Sequence, residues 1–378
     1  PPRGRPLNGL FFLLLVSCVG CSRSSQPDTL WLGHVAAMTG SDKAAGEHAR
    51  QGIQVAVEKE NADPKDLVFG RKIAFRHANA KSDARDAEAE AVRLVSVNRV
   101  VALVGGTDSA QAEQIARGAE SVGAPVVLQA ALPSPGENTF SIVPSLAWRG
   151  QVLGKFAGLE MKLELKVSKV AVFVDERTSA AGQVADAFVA ELPKEGAYRI
   201  GFKNPDEFAA LAVSAHGGKP PAALFAGSGR DLARFRTEFG KVLPGVTILF
   251  GGDESSLPSL LADRAAINRV VLATGYLATD ETPANQAFVA KYQEQFREPP
   301  DVNAALAYDG TRLLCAALRR AGAPTAVKLR EALGQTEDFE SVTGPLSFGK
   351  DHHARRPLFV VQIEKGNVVL RKKYEPAD

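Results

Sequence analysis

The sequence predicts an α/β protein built from two doubly wound, Rossmann-like domains joined by a multi-segment hinge. Three observations carry this expectation. Short β-branched runs alternate with longer stretches whose apolar residues recur every three or four positions, which calls for parallel strands covered by helices. A chain of 378 residues exceeds one ordinary domain, and its strand series breaks near residues 140–144. Beyond Ala273 the order changes to helices followed by a β-rich tail, as expected of a chain that returns to both domains.

Strands are expected at 31–36, 72–77, 100–104, 125–129, 169–174, 198–202, 222–226, 246–250 and 269–273. Between them, Ala49, Ile53 and Val57 share one helical face, and so do Ala87, Ala91, Leu94 and Val95. Helices follow at 282–298, 302–322 and 325–334, with closing strands in 345–374. The expected division places 30–143 and 275–342 in a first lobe, and 144–274 and 343–374 in a second.

The N-terminal segment carries an address. Arg3 and Arg5 precede the apolar run Leu10-Phe11-Phe12-Leu13-Leu14-Leu15-Val16, too short to span a bilayer but suited to a secretory signal. Leu15-Val16-Ser17-Cys18 resembles a bacterial lipobox, which implies removal of 1–17 and diacylation of Cys18, with Cys21 as the alternative. Residues 18–29 would then tether an exported, membrane-anchored protein. Without Arg3 and Arg5 the 45 basic side chains fall to 43, matching the 43 acidic ones. With no basic stripe, a nucleic-acid partner is not expected. Cys315, within Leu313-Leu314-Cys315-Ala316-Ala317-Leu318, reads as a buried thiol.

Catalytic constellations are weak. Gly227-Ser228-Gly229-Arg230-Asp231-Leu232 has the form of a dinucleotide fingerprint, but Leu232 stands where a third small residue is needed for close helix packing. Adjacent histidines in Asp351-His352-His353 would point to opposite faces of a strand, so a turn is expected there rather than a metal site. Neither a phosphate-binding loop nor a Gly-x-Ser-x-Gly elbow is present. No enzyme activity and no cofactor are therefore expected.

Four stretches point to a family. They are Gly33-His34-Val35-Ala36-Ala37-Met38-Thr39-Gly40 with the helix from Gly52, then Val104-Gly105-Gly106-Thr107-Asp108-Ser109. The third runs from Phe288-Val289-Ala290-Lys291-Tyr292 to Ala305-Leu306-Ala307-Tyr308-Asp309-Gly310, and the last is Thr343-Gly344-Pro345-Leu346-Ser347-Phe348-Gly349. In this order the chain from about Leu30 to Tyr374 resembles the leucine/isoleucine/valine-binding family of type I periplasmic solute-binding proteins. The resemblance implies a small amino-acid-like ligand held between two lobes and delivered to a membrane ABC permease. A ligand-sensing receptor is the alternative, and a nucleotide-dependent enzyme a more remote one.

The resemblance also implies site residues. Ser109, at a helix start, would hold the ligand carboxylate, or serve as the helix N-cap. Asp253 would meet the ammonium, with Glu254 as its substitute. Thr107, Ala131, Ser179, Ala45 and Tyr276 complete the expected lining. Ala45, Ser179 and Ser228 or Gly229 stand where branched-chain receptors place aromatic walls, which implies a different or larger ligand. Leu132-Pro133 replaces a hydroxyl-bearing stretch, and Trp148, Arg149 and Tyr276 are candidates to refill the cleft.

Overall fold

A computed structural model of the chain describes residues 29–81, 84–161, 169–218, 220–262 and 267–376. Cys18, Cys21 and the expected signal segment lie outside the described residues.

The first sheet is built from β1 (Leu30–Ala36), β2 (Ile73–Asn79), β3 (Leu103–Gly105), β4 (Val126–Leu128) and β5 (Thr139–Ser141), in the order β2-β1-β3-β4-β5 and parallel throughout. Helices α1 (Lys43–Glu60), α2 (Ala84–Ser96) and α3 (Ser109–Ser121) follow β1, β2 and β3. Side chains alternate between the two faces, as strand geometry requires. Val35, Leu103, Val126 and Leu128 pack with Ala87 and Leu94 of α2 and Ile115 of α3. Leu32, Val104, Val127 and Phe140 pack on the opposite face with Val55 of α1.

The second sheet contains β6 (Val170–Asp175), β7 (Ala197–Phe202), β8 (Ala222–Ala226), β9 (Thr247–Phe250) and β10 (Val270–Thr274). Its order is β15-β14-β10-β9-β8-β6-β7, with β14 (Leu358–Glu364) and β15 (Asn367–Tyr374) added antiparallel at one edge. One face carries α4 (Leu146–Lys155) and α5 (Ser179–Ala190); the other carries α6 (Phe208–His216), α7 (Gly229–Val242) and α8 (Leu257–Ala262). Phe173, Phe208, Phe225, Phe235 and Phe239 fill this second interface with ring centroids 4.5–5.8 Å apart.

The expected strands are all present, with ends shifted by three residues at most. The exception on the sequence side is β5, which occupies the expected break and continues the first sheet. After β10 the chain returns to the first sheet through α9 (Pro283–Phe296), α10 (Val302–Ala321) and α11 (Ala326–Gly334). Helix α10 lies so close to α1 that a Cβ on Gly52 would sit 2.0 Å from the Ala304 carbonyl oxygen. Only glycine permits that approach. Cys315 of α10 is fully buried, and burial pushes its thiol upward.

The tail departs from expectation. Residues 343–374 were expected together in the second lobe, yet only β14 and β15 join the larger sheet. Strands β11 (Phe339–Ser341), β12 (Gly344–Phe348) and β13 (Ala354–Arg355) form a separate antiparallel sheet that touches β5 through Ser141 and His353. The cause is the histidine turn. His352 Nδ1 donates to the Gly136 and Thr139 carbonyls at 3.1 Å, and His353 Nε2 donates to that of Leu132 at 3.0 Å. The chain therefore crosses between the sheets near residues 142–145, 275–282 and 356–357. Among the described residues, no helix is long and apolar enough to cross a membrane, and no cluster of three or more His, Cys, Asp or Glu could hold a metal ion.

Candidate ligand cleft

In open α/β sheets the crevice for a ligand opens where strand order reverses, at the carboxyl ends of the strands. The reversals fall between β1 and β3 in one sheet and between β6 and β8 in the other. The loops after these strands, joined by the loop after β9, line one cleft of about 1020 Å³.

From the first lobe, Gly106 turns the chain out of β3 with φ +70°, where a Cβ would lie 2.7 Å from the Ala112 Cα. That tight turn brings the start of α3 to the cleft. Asp108 is the N-cap, its carboxylate accepting from Gln111 N–H at 3.0 Å. The N-cap alternative for Ser109 is thereby excluded: Ser109 is the first helical residue. Its N–H points along the helix start, where unpaired donors and the dipole favour an anion.

The anion found there is the protein's own. Ser109 N–H donates to Asp253 Oδ2 at 3.0 Å, and its hydroxyl lies 2.9 and 2.8 Å from the two carboxylate oxygens. The residues expected at opposite ends of a ligand are thus in direct contact in this conformation. Asp253 heads the short turn Glu254–Ser256 but makes no capping bond with its side chain, so its oxygens are turned to the other lobe. Buried Arg149 sits behind it, Nη1 3.6 Å from Oδ1 while donating to the Gly252 carbonyl at 3.0 Å. Burial, then the charges of Asp253 and Asp42, push the Asp108 carboxyl up to about 6.

Two further contacts close the mouth. Asp42 pairs with Arg230 across the cleft, and Gln183 Nε2 donates to the Pro133 carbonyl at 3.3 Å. Within the second lobe, Arg177 is clamped by Asp175 at 2.7 Å and Asp231 at 2.8 Å.

The remaining expected residues separate. Ala45, Thr107 and Ser179 line the cleft. Ala131 does not: its side chain is in the core, and its carbonyl accepts from the Ser109 hydroxyl at 3.4 Å. Tyr276 is buried in the first lobe's core, where desolvation drives its phenol far upward, and Trp148 packs against the α4–α5 layer. Of the three residues offered to refill the cleft, only Arg149 lines it. Glu254, the substitute for Asp253, serves the hinge instead. It accepts from Thr274 Oγ1 at 2.7 Å and from Gly275 N–H, with Arg149 Nη2 at 3.8 Å. Buried Arg356 completes the hinge by donating to the carbonyls of Ile142 at 3.1 Å and Gly275 at 3.2 Å. The residues that sequence reasoning missed are the charged partners Asp42, Asp108, Arg177 and Arg230; only the Asp175-x-Arg177 spacing offered a local sign of them.

Two open α/β lobes face each other across this cleft. The chain belongs to the periplasmic binding protein family, whose model matches residues 29–367. It is 25% identical to an amino acid binding protein of Pseudomonas aeruginosa, over 93% of this chain and 94% of that one. Among solved structures it is similar to a leucine-binding protein of Thermotoga maritima, with 23% identity, a TM-score of 0.81 and coverage of 92% and 99%. A solute-binding protein of an ABC transporter from Rhodopseudomonas palustris, in complex with 3,4-dihydroxybenzoic acid, superposes with a TM-score of 0.74, 22% identity and coverage of 93% and 98%. The dinucleotide fingerprint accordingly has no catalytic meaning: Leu232 is a core residue, and Ser228 caps α7 by accepting from Asp231 N–H at 3.2 Å.

Proposed function

We propose that this protein is the extracytoplasmic solute-binding component of an ABC-type importer, anchored to the membrane by a lipid on Cys18, and that it takes an amino-acid-like ligand between its lobes. The observation that carries this reading is the placement of Ser109 and Asp253 face to face from different lobes. When the lobes part, an anion site at a helix N-terminus and the Asp253 carboxylate confront each other across a short gap. A zwitterion supplies the complement of both. The amino acid binding protein of Pseudomonas aeruginosa and the leucine-binding protein of Thermotoga maritima support the ligand class. The absence of aromatic walls at Ala45 and Ser179 argues for a ligand other than leucine.

Function follows from closure. The open form admits the ligand to one lobe, and the second lobe's contacts favour the closed form that a permease would recognise. The test is a thermal-shift screen of amino acids followed by small-angle scattering. A true ligand at a hundred times its dissociation constant stabilises by about 2.7 kcal/mol, or several degrees, and the radius of gyration shrinks. Failure of every amino acid to stabilise the protein would sink the reading.

A further inference from the structure

We infer that the cleft admits only ligands that bring their own positive charge and rejects plain monocarboxylates, because Asp253 acts as a built-in competitor for the carboxylate donors of Ser109. This rests on the reading of the Ser109 cleft as the ligand site, and it adds the rule by which that site chooses.

A carboxylate bound at the start of α3 needs the Ser109 N–H and hydroxyl, and Asp253 holds both at 2.8–3.0 Å. Among the described residues, no other cation is turned to Ser109. Buried Arg149 donates from Nη1 to the Gly252 carbonyl and lies between Asp253 and Glu254, on the side of Asp253 away from Ser109. Arg230 is paired with Asp42, Arg177 with Asp175 and Asp231, and among the described residues no lysine or histidine lines the cleft. Against these three arginines the described lining presents six carboxylates, Asp108 and Glu113 among them. Gln111, 2% exposed, adds a side-chain oxygen that has no donor.

A monocarboxylate that displaces Asp253 from Ser109 leaves two like charges side by side in a half-enclosed space, with Asp108 next to them. Such juxtaposition is strongly unfavourable where water is scarce. A zwitterion escapes the penalty, since its ammonium accepts Asp253 as its carboxylate takes Ser109. Asp253 therefore decides ligand class through what it occupies as well as through what it binds.

The experiment is calorimetric titration of wild type, Asp253→Asn and Asp253→Ser with the protein amino acids, and with benzoate and 4-methylpentanoate as monocarboxylate probes. Asp253→Asn and Asp253→Ser should bind at least one monocarboxylate probe about tenfold or more tightly than wild type does. Adding Ser109→Ala to Asp253→Asn should abolish that gain. Monocarboxylate binding equal in wild type and both variants, or absent from all three, overturns the inference. The two readings fail separately. A monocarboxylate gain in a protein that binds no amino acid leaves the competitor role standing and removes the amino-acid ligand; an amino-acid ligand without the gain does the reverse.

Discussion

Arg356 Nη2 donates to the Gly275 carbonyl at 3.2 Å, and so ties the third crossing between the lobes to the second. Its Nη1 reaches the Ile142 carbonyl of the first crossing at 3.1 Å, so a single guanidinium holds all three strands of the hinge. Glu254 adds a carboxylate on Gly275 N–H, and Arg149 links that carboxylate to the cleft. Hinge and cleft are one buried polar network.

Arg356→Met keeps most of the volume but leaves two buried carbonyls without donors. The loss should be about 1–3 kcal/mol for each carbonyl, read as a lowered urea midpoint. A midpoint unchanged from wild type would show that water replaces the guanidinium.

Ser109→Ala and Asp253→Ala should weaken an amino acid ligand unequally. Loss of Asp253 leaves a ligand ammonium desolvated without a partner, costing about 2–5 kcal/mol of binding. Ser109→Ala removes one hydrogen bond to a charged group and should cost about 1.5–3 kcal/mol. Calorimetric titration of the compound found by the screen measures both, and equal affinity in Asp253→Ala would refute the ammonium contact.

Asp108 makes stability depend on pH. Its folded pKa of about 6 stands above the unfolded value of about 3.9. Between the two, the native state holds a proton that the unfolded state has released, so this group adds stability as pH falls from above 6 towards 4. Above pH 6 the ionised carboxylate destabilises the fold. Asp108→Asn retains a good N-cap and should melt higher than wild type at pH 8, with the gap closing towards pH 4. A gap that is constant across this range would remove Asp108 from the pH response.

Acylation is open to direct measurement. The N-terminal peptide of the membrane fraction should carry its acyl chains on Cys18, and Cys18→Ala should release the protein from membranes. Retention in Cys18→Ala and loss in Cys21→Ala would move the anchor to Cys21.

Much of the architecture was legible because strand and helix periodicities differ and the central parallel strands carry unbroken apolar runs, as in residues 170–174 and Ala222–Ala226. Thr139–Ser141 escaped because three residues show no period, and Pro144 just after them reads as an interruption. Ser109 and Asp253 were found through resemblance, but their mutual contact was not, since it joins lobes 144 residues apart in sequence. Adjacent residues of similar chemistry could not be ranked by type: Asp108 rather than Ser109 caps α3, and Asp253 rather than Glu254 faces the cleft. Backbone direction decided both. Tyr276 misled because an aromatic beside a crossing can turn to the cleft or to the core, and its ring buries more apolar surface in the core.

The Asp42–Arg230 pair at the mouth and the Ser109–Asp253 contact inside act on binding in opposite senses. A solute that enters and leaves the mouth pair intact inherits it: the pair then favours the occupied, shut population and lengthens residence. The inner contact must be given up to the solute, so it subtracts from affinity and holds back weak visitors. Exposed on the arginine side, the mouth pair contributes little, about 0–1 kcal/mol, and salt weakens it further. Ionic strength should therefore tune how long a solute stays more than whether it is accepted, which places retention at the rim of this molecule and discrimination in its interior.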